Sequence, residues 1–266
     1  MANSIQVPPL KRWQTWYTVI AFLYMYLPIA VLTIFSFNES PSSAQWTGFT
    51  WNWYAKFLQN PTLLAALRNS LSVALTAVAV SAVLGTLTAV GLSRYYFPGK
   101  RLYQGATYLP LIIPDIAIAV ATLVFFAAIK LPLSLGTIVI AHIVFCLAYV
   151  AVVVSSRLAS IDPKLEEAAL DLGATPVQAF LRVLLPQLLP GIVSGSLLAF
   201  ILSMDDFVIA YFTAGVGATT LPIAIFSSLR SGGVTPELNA LSVLLIIASG
   251  SMAAIAETVR RWGNHD

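Results

Sequence analysis

Three carboxylates sit where carboxylates are costly. Asp115, Asp205 and Asp206 each fall inside a long apolar run, and no such run contains Lys or Arg. An ionised acid at the centre of a bilayer costs at least about 2.5 kcal/mol on insertion scales, so such groups face a cavity or a partner. Acids without bases point to a cationic cargo, because an anion path would need positive side chains or open helix N-termini. Asp115 follows Pro114 about halfway along its run. Pro110 and Pro114 break backbone hydrogen bonds there, and irregular backbone at that depth must face protein or water. Asp205 and Asp206 adjoin, and neighbours on a helix diverge by about 100°. One is therefore expected to face a pathway and the other a neighbouring helix. The plainer alternative for each acid is a structural hydrogen bond to another helix. Phe207, Tyr211 and Phe212 follow, and their ring faces suit an ammonium group, with interfacial packing as the alternative.

His142 and Cys146 are four residues apart and share a helix face. A Cys–His catalytic pair or a metal site would need a third ligand or an acid, and none accompanies them locally. A buried histidine bonded to another helix, beside a small apolar cysteine, accounts for both. The phosphate-binding pattern G-x-x-x-x-G-K-[ST] is absent: Arg94 stands where Gly99-Lys100 would need the first glycine, and Arg101 replaces the hydroxyl residue. Work driven by ATP would have to draw on another chain, which would hold the ATP and magnesium; no cofactor is expected on this one.

The elements that must position these residues are membrane helices. Of 266 residues 58% are hydrophobic and 9% charged, against roughly 25% charged in soluble domains. Apolar runs at 16–37, 69–92, 102–129, 134–156, 187–212 and 238–257 predict an all-α polytopic protein with six transmembrane helices. The first run is too long for a cleaved leader, whose core is about 7–15 residues, and reads as a retained helix. Between the first two runs Trp46, Trp51, Trp53 and Tyr54 suit a membrane–water interface, with a short helix over 51–59. A further apolar piece at 221–229 reads as a half-buried helix. Ten Lys and Arg collect on one face of this arrangement (Lys11, Arg12, Arg94, Lys100, Arg101, Arg157, Lys164, Arg182, Arg260, Arg261) and four on the other (Lys56, Arg68, Lys130, Arg230). That asymmetry predicts cytoplasmic termini: an N-terminal stretch 1–15, one membrane domain 16–258 with a cytoplasmic loop 157–186, and a tail 259–266. The net charge of +3 reflects these basic loops, not a nucleic-acid patch.

The longest polar stretch flanked by apolar runs, residues 162–186, reads DPKLEEAALDLGATPVQAFLRVLLP. It predicts two short helices. Asp162 caps the first, with Pro163 at its first position and Glu166 and Glu167 at its positive end. Gly173 ends it in a left-handed turn, Thr175 and Gln178 form a capping box for the second, and Pro186 marks the start of the next span.

Glu167-Ala168-Ala169, then Gly173, Val183, Leu185 and Pro186 at their spacings, resemble the EAA signature of bacterial ABC importer permeases. Over nearly its whole length the chain is similar to the second permease of spermidine/putrescine importers. Ser36-Phe37-Asn38, Pro114-Asp115, residues 141–146, 156–158, 167–173, 202–207, 217–222 and 236–240 carry this resemblance, the last two leaning toward the putrescine type. It implies an inner-membrane type I importer fold in which Glu166, Glu167, Ala168, Ala169, Leu170, Asp171 and Gly173 couple to an ATPase. Asp115, Asp205, Asp206, Phe207 and Tyr211 would line the substrate path. The implied partners are a second, non-identical permease, two copies of a cytoplasmic ATPase, a periplasmic polyamine-binding protein and the lipid bilayer. An importer of other organic cations, opines, amino-acid derivatives or phosphonates, and a stand-alone channel or secondary transporter, are the alternatives.

Overall fold

The computed structural model describes residues 12–41, 45–233 and 235–262. Lys11 and most of the N-terminal stretch, and the tail from 263, lie outside the described residues, and the side chains of Arg12, Arg260 and Arg261 are likewise not described. The chain divides into two units, Met1–Leu58 with Gly232–Leu245, and Gln59–Ser231 with Ile246–Asp266.

In the first unit, helix α1 (Arg12–Phe35) leads into a small aromatic knot. An isolated antiparallel bridge pairs Asn38 with Phe49. Asn38 organises the turn: its Nδ2 donates to Gln45 O (2.7 Å), its Oδ1 accepts from Thr47 N (3.0 Å), and its carbonyl accepts from Trp53 Nε1 (2.6 Å). Phe37 stacks on Phe49 (5.3 Å between centroids) and meets Trp51 edge-on (4.7 Å). The short helix expected over 51–59 is α2 (Asn52–Gln59), with Trp53 and Phe57 buried. Trp53 is buried in this knot, and its indole N–H is satisfied by Asn38. Helix α1 buries nothing in its most apolar stretch, leaving Trp16, Leu23 and Tyr24 exposed.

The second unit is built on three long helices. Helix α3 (Pro61–Arg94) begins under an Asn60 cap, whose Oδ1 accepts from Thr62 N and Leu63 N, eight residues before the predicted span. A broken segment follows: α4 (Lys100–Tyr108), a tight turn over Leu109–Leu111, then α5 (Asp115–Ala128), their axes bent by 113°. The predicted run 102–129 is therefore two half-helices. Pro110 and Pro114 supply no N–H to the ladder; Leu109 before Pro110 stays helical (φ −53°, ψ −42°), and the backbone leaves helical geometry at Pro114 (φ −57°, ψ 138°), just before α5. Helix α6 (Leu135–Leu158) is central. The polar elbow is α7 (Lys164–Asp171) and α8 (Pro176–Ala179).

From α8 the chain does not restart at Pro186 as the sequence suggested. A wide turn over Phe180–Leu184, with Leu185 N bonded to Phe180 O, leads directly into α9 (Leu185–Asp205). The extra residue in that turn accommodates the proline, which can neither donate to the turn before it nor clear the carbonyl there. The run predicted to continue to 212 stops at Asp205 and resumes as α10 (Val208–Thr213). After the loop 214–220 come α11 (Leu221–Gly232) and α12 (Pro236–Trp262). Among the described residues five helices are long and apolar enough to cross a membrane, and the bent α4–α5 pair makes a sixth span if counted as one.

Helices α3, α6 and α9 pack on one another around a core containing Val90, Phe145, Val150, Val154, Leu184 and Leu188. Small residues set the spacing. A Cβ on Gly85 of α3 would lie 2.9 Å from Val150 Cβ, and one on Gly191 of α9 would lie 2.8 Å from Arg157 Cβ. Gly191 and Gly195 have the four-residue spacing that lets two membrane helices approach closely.

Candidate functional site

The break between α9 and α10 makes one half of the site. At Asp206 the backbone leaves the helix (φ −68°, ψ 120°). Its carboxylate accepts from Ile209 N (Oδ1, 3.3 Å) and Ala210 N (Oδ2, 2.8 Å), capping α10. A short acidic side chain competes with the helix ladder in this way, which is why the apolar run does not continue as one helix. Behind Asp206 lies buried His142 of α6. Its Nε2 is 3.2 Å from Asp206 Oδ2, a close approach without hydrogen-bond alignment, and its Nδ1 is 2.7 Å from Ser203 Oγ. Cys146 goes elsewhere, its Sγ 3.7 Å from Ala199 O. Among the described residues no group of three His, Cys, Asp or Glu could hold a metal ion.

A cavity of about 270 Å³ opens at this break, just below the usual range of roughly 300–1,000 Å³ for small-molecule pockets. Asp115, Asp205, Asp206, Phe207, Pro110 and Tyr149 are on its wall, and none of its lining residues is basic. Three acids from two sequence-distant segments thus share one space. Asp206 is spent on α10 and His142, and Asp115 stands in the first turn of α5, where it offsets the positive helix end. Asp205 is exposed, lies at the negative C-terminal end of α9, and has no hydrogen bond or ion pair among the described residues. The region is therefore electronegative. Phe207 lines the cavity and packs at a tilt against Tyr211 (5.3 Å between centroids) and Phe226 of α11 (4.6 Å). Tyr211 is not on the cavity wall and is half exposed.

The elbow is the other half. Asp162 Oδ1 accepts from Lys164 N (3.0 Å) at the start of α7. At its end Gly173 has φ +86°, with Gly173 N bonded to Leu170 O (2.9 Å) and Ala174 N to Ala169 O (3.0 Å). That paired pattern requires a left-handed residue, so glycine is there for a stated reason. Thr175 and Gln178 exchange reciprocal bonds of 3.3 and 3.0 Å, the predicted box. The helix presents Glu167, Ala168, Leu170 and Asp171 outward, and Leu172 beyond them is 90% exposed. Ala169 is half-buried, and Glu166 is drawn inward, its Oε2 2.7 Å from Arg94 Nε at the end of α3. Sequence reading missed Arg94 and the His142–Asp206 contact, because both join residues far apart in the chain and neither has a local spacing to betray it.

Comparison with known proteins agrees with these features. Residues 81–262 match the family model described as binding-protein-dependent transport system inner membrane component. The chain is 43% identical over 251 residues to the putrescine transport system permease protein PotI of Escherichia coli K12, covering 92% of this chain and 89% of that one. It is 39% identical over 246 residues to the spermidine/putrescine transport system permease protein PotC of Haemophilus influenzae, covering 92% and 95%. Among solved structures, a bacterial ABC transporter involved in the import of the acidic polysaccharide alginate superposes with a TM-score of 0.69 at 16% identity, covering 95% of this chain and 99% of its own, which shows a shared type I importer permease fold. A bent α4–α5 pair, a break between α9 and α10, a doubly capped elbow and a family match over most of the length lead to one assignment: this chain belongs to the inner membrane components of binding-protein-dependent transport systems.

Proposed function

We propose that this chain is the non-catalytic permease of an ATP-driven importer that carries a small polyamine, putrescine or spermidine, across the bacterial inner membrane. The observation that carries the cargo reading is Asp205, a carboxylate without a partner in a cavity that has two further acids and no base. An ammonium group gains from Asp205, from the C-terminal end of α9 and from the ring of Phe207. Asp115 is the second contact, and Asp206 fixes the break that presents both. Such pairing must stay weak, since a tightly held ion would not leave. The identity to permeases named for putrescine and spermidine supports the same cargo.

The elbow is the docking face for a cytoplasmic ATPase. Glu167 offers an unpaired carboxylate to a partner arginine, and Ala168 permits close approach. Two ATPase copies hold the ATP and magnesium, a second permease completes the path, and a periplasmic polyamine-binding protein delivers cargo. Ten of fourteen Lys and Arg on the elbow side support cytoplasmic termini. The decisive experiment is uptake of radiolabelled putrescine by the assembled importer carrying Asp115→Asn and Asp205→Asn together. Uptake should be lost with assembly intact; wild-type rates would end the role given to this cavity. The cavity selects for an ammonium group more than for chain length, so other slender organic cations are the second reading. Comparing which cations bind the cognate periplasmic protein decides between them.

A further inference from the structure

Helix α3 makes a polar contact near each end, and each contact reaches a segment that a transport cycle must move. At the C-terminal end, Arg94 Nε lies 2.7 Å from Glu166 Oε2 on α7, with the two side chains 22% and 24% exposed. A cavity of about 480 Å³ separates the end of α3 from the elbow, walled by Leu87, Val90, Leu170 and Phe180. The ion pair therefore spans a gap that side-chain packing leaves open, and its apolar surroundings strengthen it. Arg94 Nε and Nη2 are both buried with no hydrogen-bond partner among the described residues, so Glu166 holds that guanidinium by charge proximity, without hydrogen-bond alignment.

Toward the other end, Asn69 Nδ2 donates to Gly217 O (3.2 Å) and Thr219 O (2.9 Å), and Ser70 Oγ accepts from Leu221 N (2.8 Å). Leu221 is the first residue of α11, whose Phe226 packs at a tilt against Phe207 at the acidic cavity. Residues 69 and 94 are about 38 Å apart along an unbroken helix axis. Val150 seats against Gly85, so α3 is packed closely on α6 with no room for an added carbon.

We infer that α3 is a connecting rod between the ATPase-facing elbow and the cargo cavity, loaded through Glu166–Arg94 and unloaded through Asn69 onto the start of α11. Glu166 then has a different task from Glu167: it ties the elbow to its own protein, while its neighbour faces outward. The same linkage gives a physical role to residues 217–222, whose carbonyls and first helical N–H are held by α3.

This inference rests on the docking role proposed for Glu167, so its test reads docking and transmission separately. The complete importer is reconstituted with its binding protein and ATPase, with Ala168→Cys in a Cys146→Ser background as a crosslinking probe. Arg94→Glu and Glu166→Arg should each leave crosslinking to the ATPase intact while putrescine uptake per ATP hydrolysed falls about tenfold. The combined Arg94→Glu/Glu166→Arg exchange should recover most of that loss, and Asn69→Ala should uncouple in the same way. Should a reversal fail to assemble, Glu166→Gln removes the charge more gently and should still lower the ratio. An unchanged ratio in assembled variants, or an exchange no better than its single components, overturns the rod. A wild-type complex that never crosslinks at position 168 overturns the docking reading instead, and wild type without putrescine uptake overturns the cargo reading.

Discussion

Two pairs of adjacent acids, Glu166–Glu167 on the elbow and Asp205–Asp206 beside the cavity, are sorted by different physics into the same pattern. In each pair one acid is tied inside the protein and one is left without a partner. On α7 the helix does the sorting: successive side chains diverge by about 100°, so Glu166 meets Arg94 while Glu167 faces away. At the cavity the helix ends between the two acids, and capping does the sorting: Asp206 turns to Ile209 N and Ala210 N, and Asp205 stays at the end of α9. A tied acid that is lost damages the frame. A free acid that is lost should damage only the transaction it serves.

The sharpest way to break this comparison is at Asp206. Replacing it with Ala removes the α10 cap and the charge beside buried His142, which should cost about 2–3 kcal/mol and reduce the folded protein recovered from membranes. Normal recovery and thermal stability would remove Asp206 from the tied class. Asp205→Asn is expected to do the opposite, leaving stability within about 0.5 kcal/mol of wild type while uptake falls. A variant that melts early would show that Asp205 is structural. Glu167→Ala should reach the membrane normally and stimulate ATP hydrolysis several-fold less when loaded binding protein is added; equal stimulation would deny it the docking task. The elbow's own shape allows two smaller tests, read by thermal unfolding. Gly173→Ala forces a side chain into φ +86° and should cost about 1 kcal/mol. Thr175→Ala breaks the capping box for a similar or smaller loss of about 0.5–1 kcal/mol.

Local chemistry was readable from the sequence because its signals span a few residues. The Asp162, Gly173 and Thr175–Gln178 devices all occur as their spacing implied. The apolar runs located the long helices for the same reason, although α3 starts earlier and α9 runs on from the elbow. Hydropathy averages over a window, so it could not see that one aspartate ends α9 or that two prolines bend the α4–α5 segment by 113°. Nor could it bring Asp115 to Asp205, since that meeting depends on how α5 turns back after the bend. Asp205 and Asp206 were expected to diverge along a continuous helix; instead the helix ends between them and both stand on the wall of one cavity.

The seam where Gly85 seats Val150 and Gly191 meets Arg157 has a consequence for how this lineage can change. At either position the added carbon would sit under 3.0 Å from a neighbouring side chain, so a single methyl group is enough to pry two helices apart. Drift there is bounded by an atomic radius. Descendants of this sequence can vary their lipid-facing residues freely, but must hand these two hydrogens down unchanged or remake the facing helix in the same step.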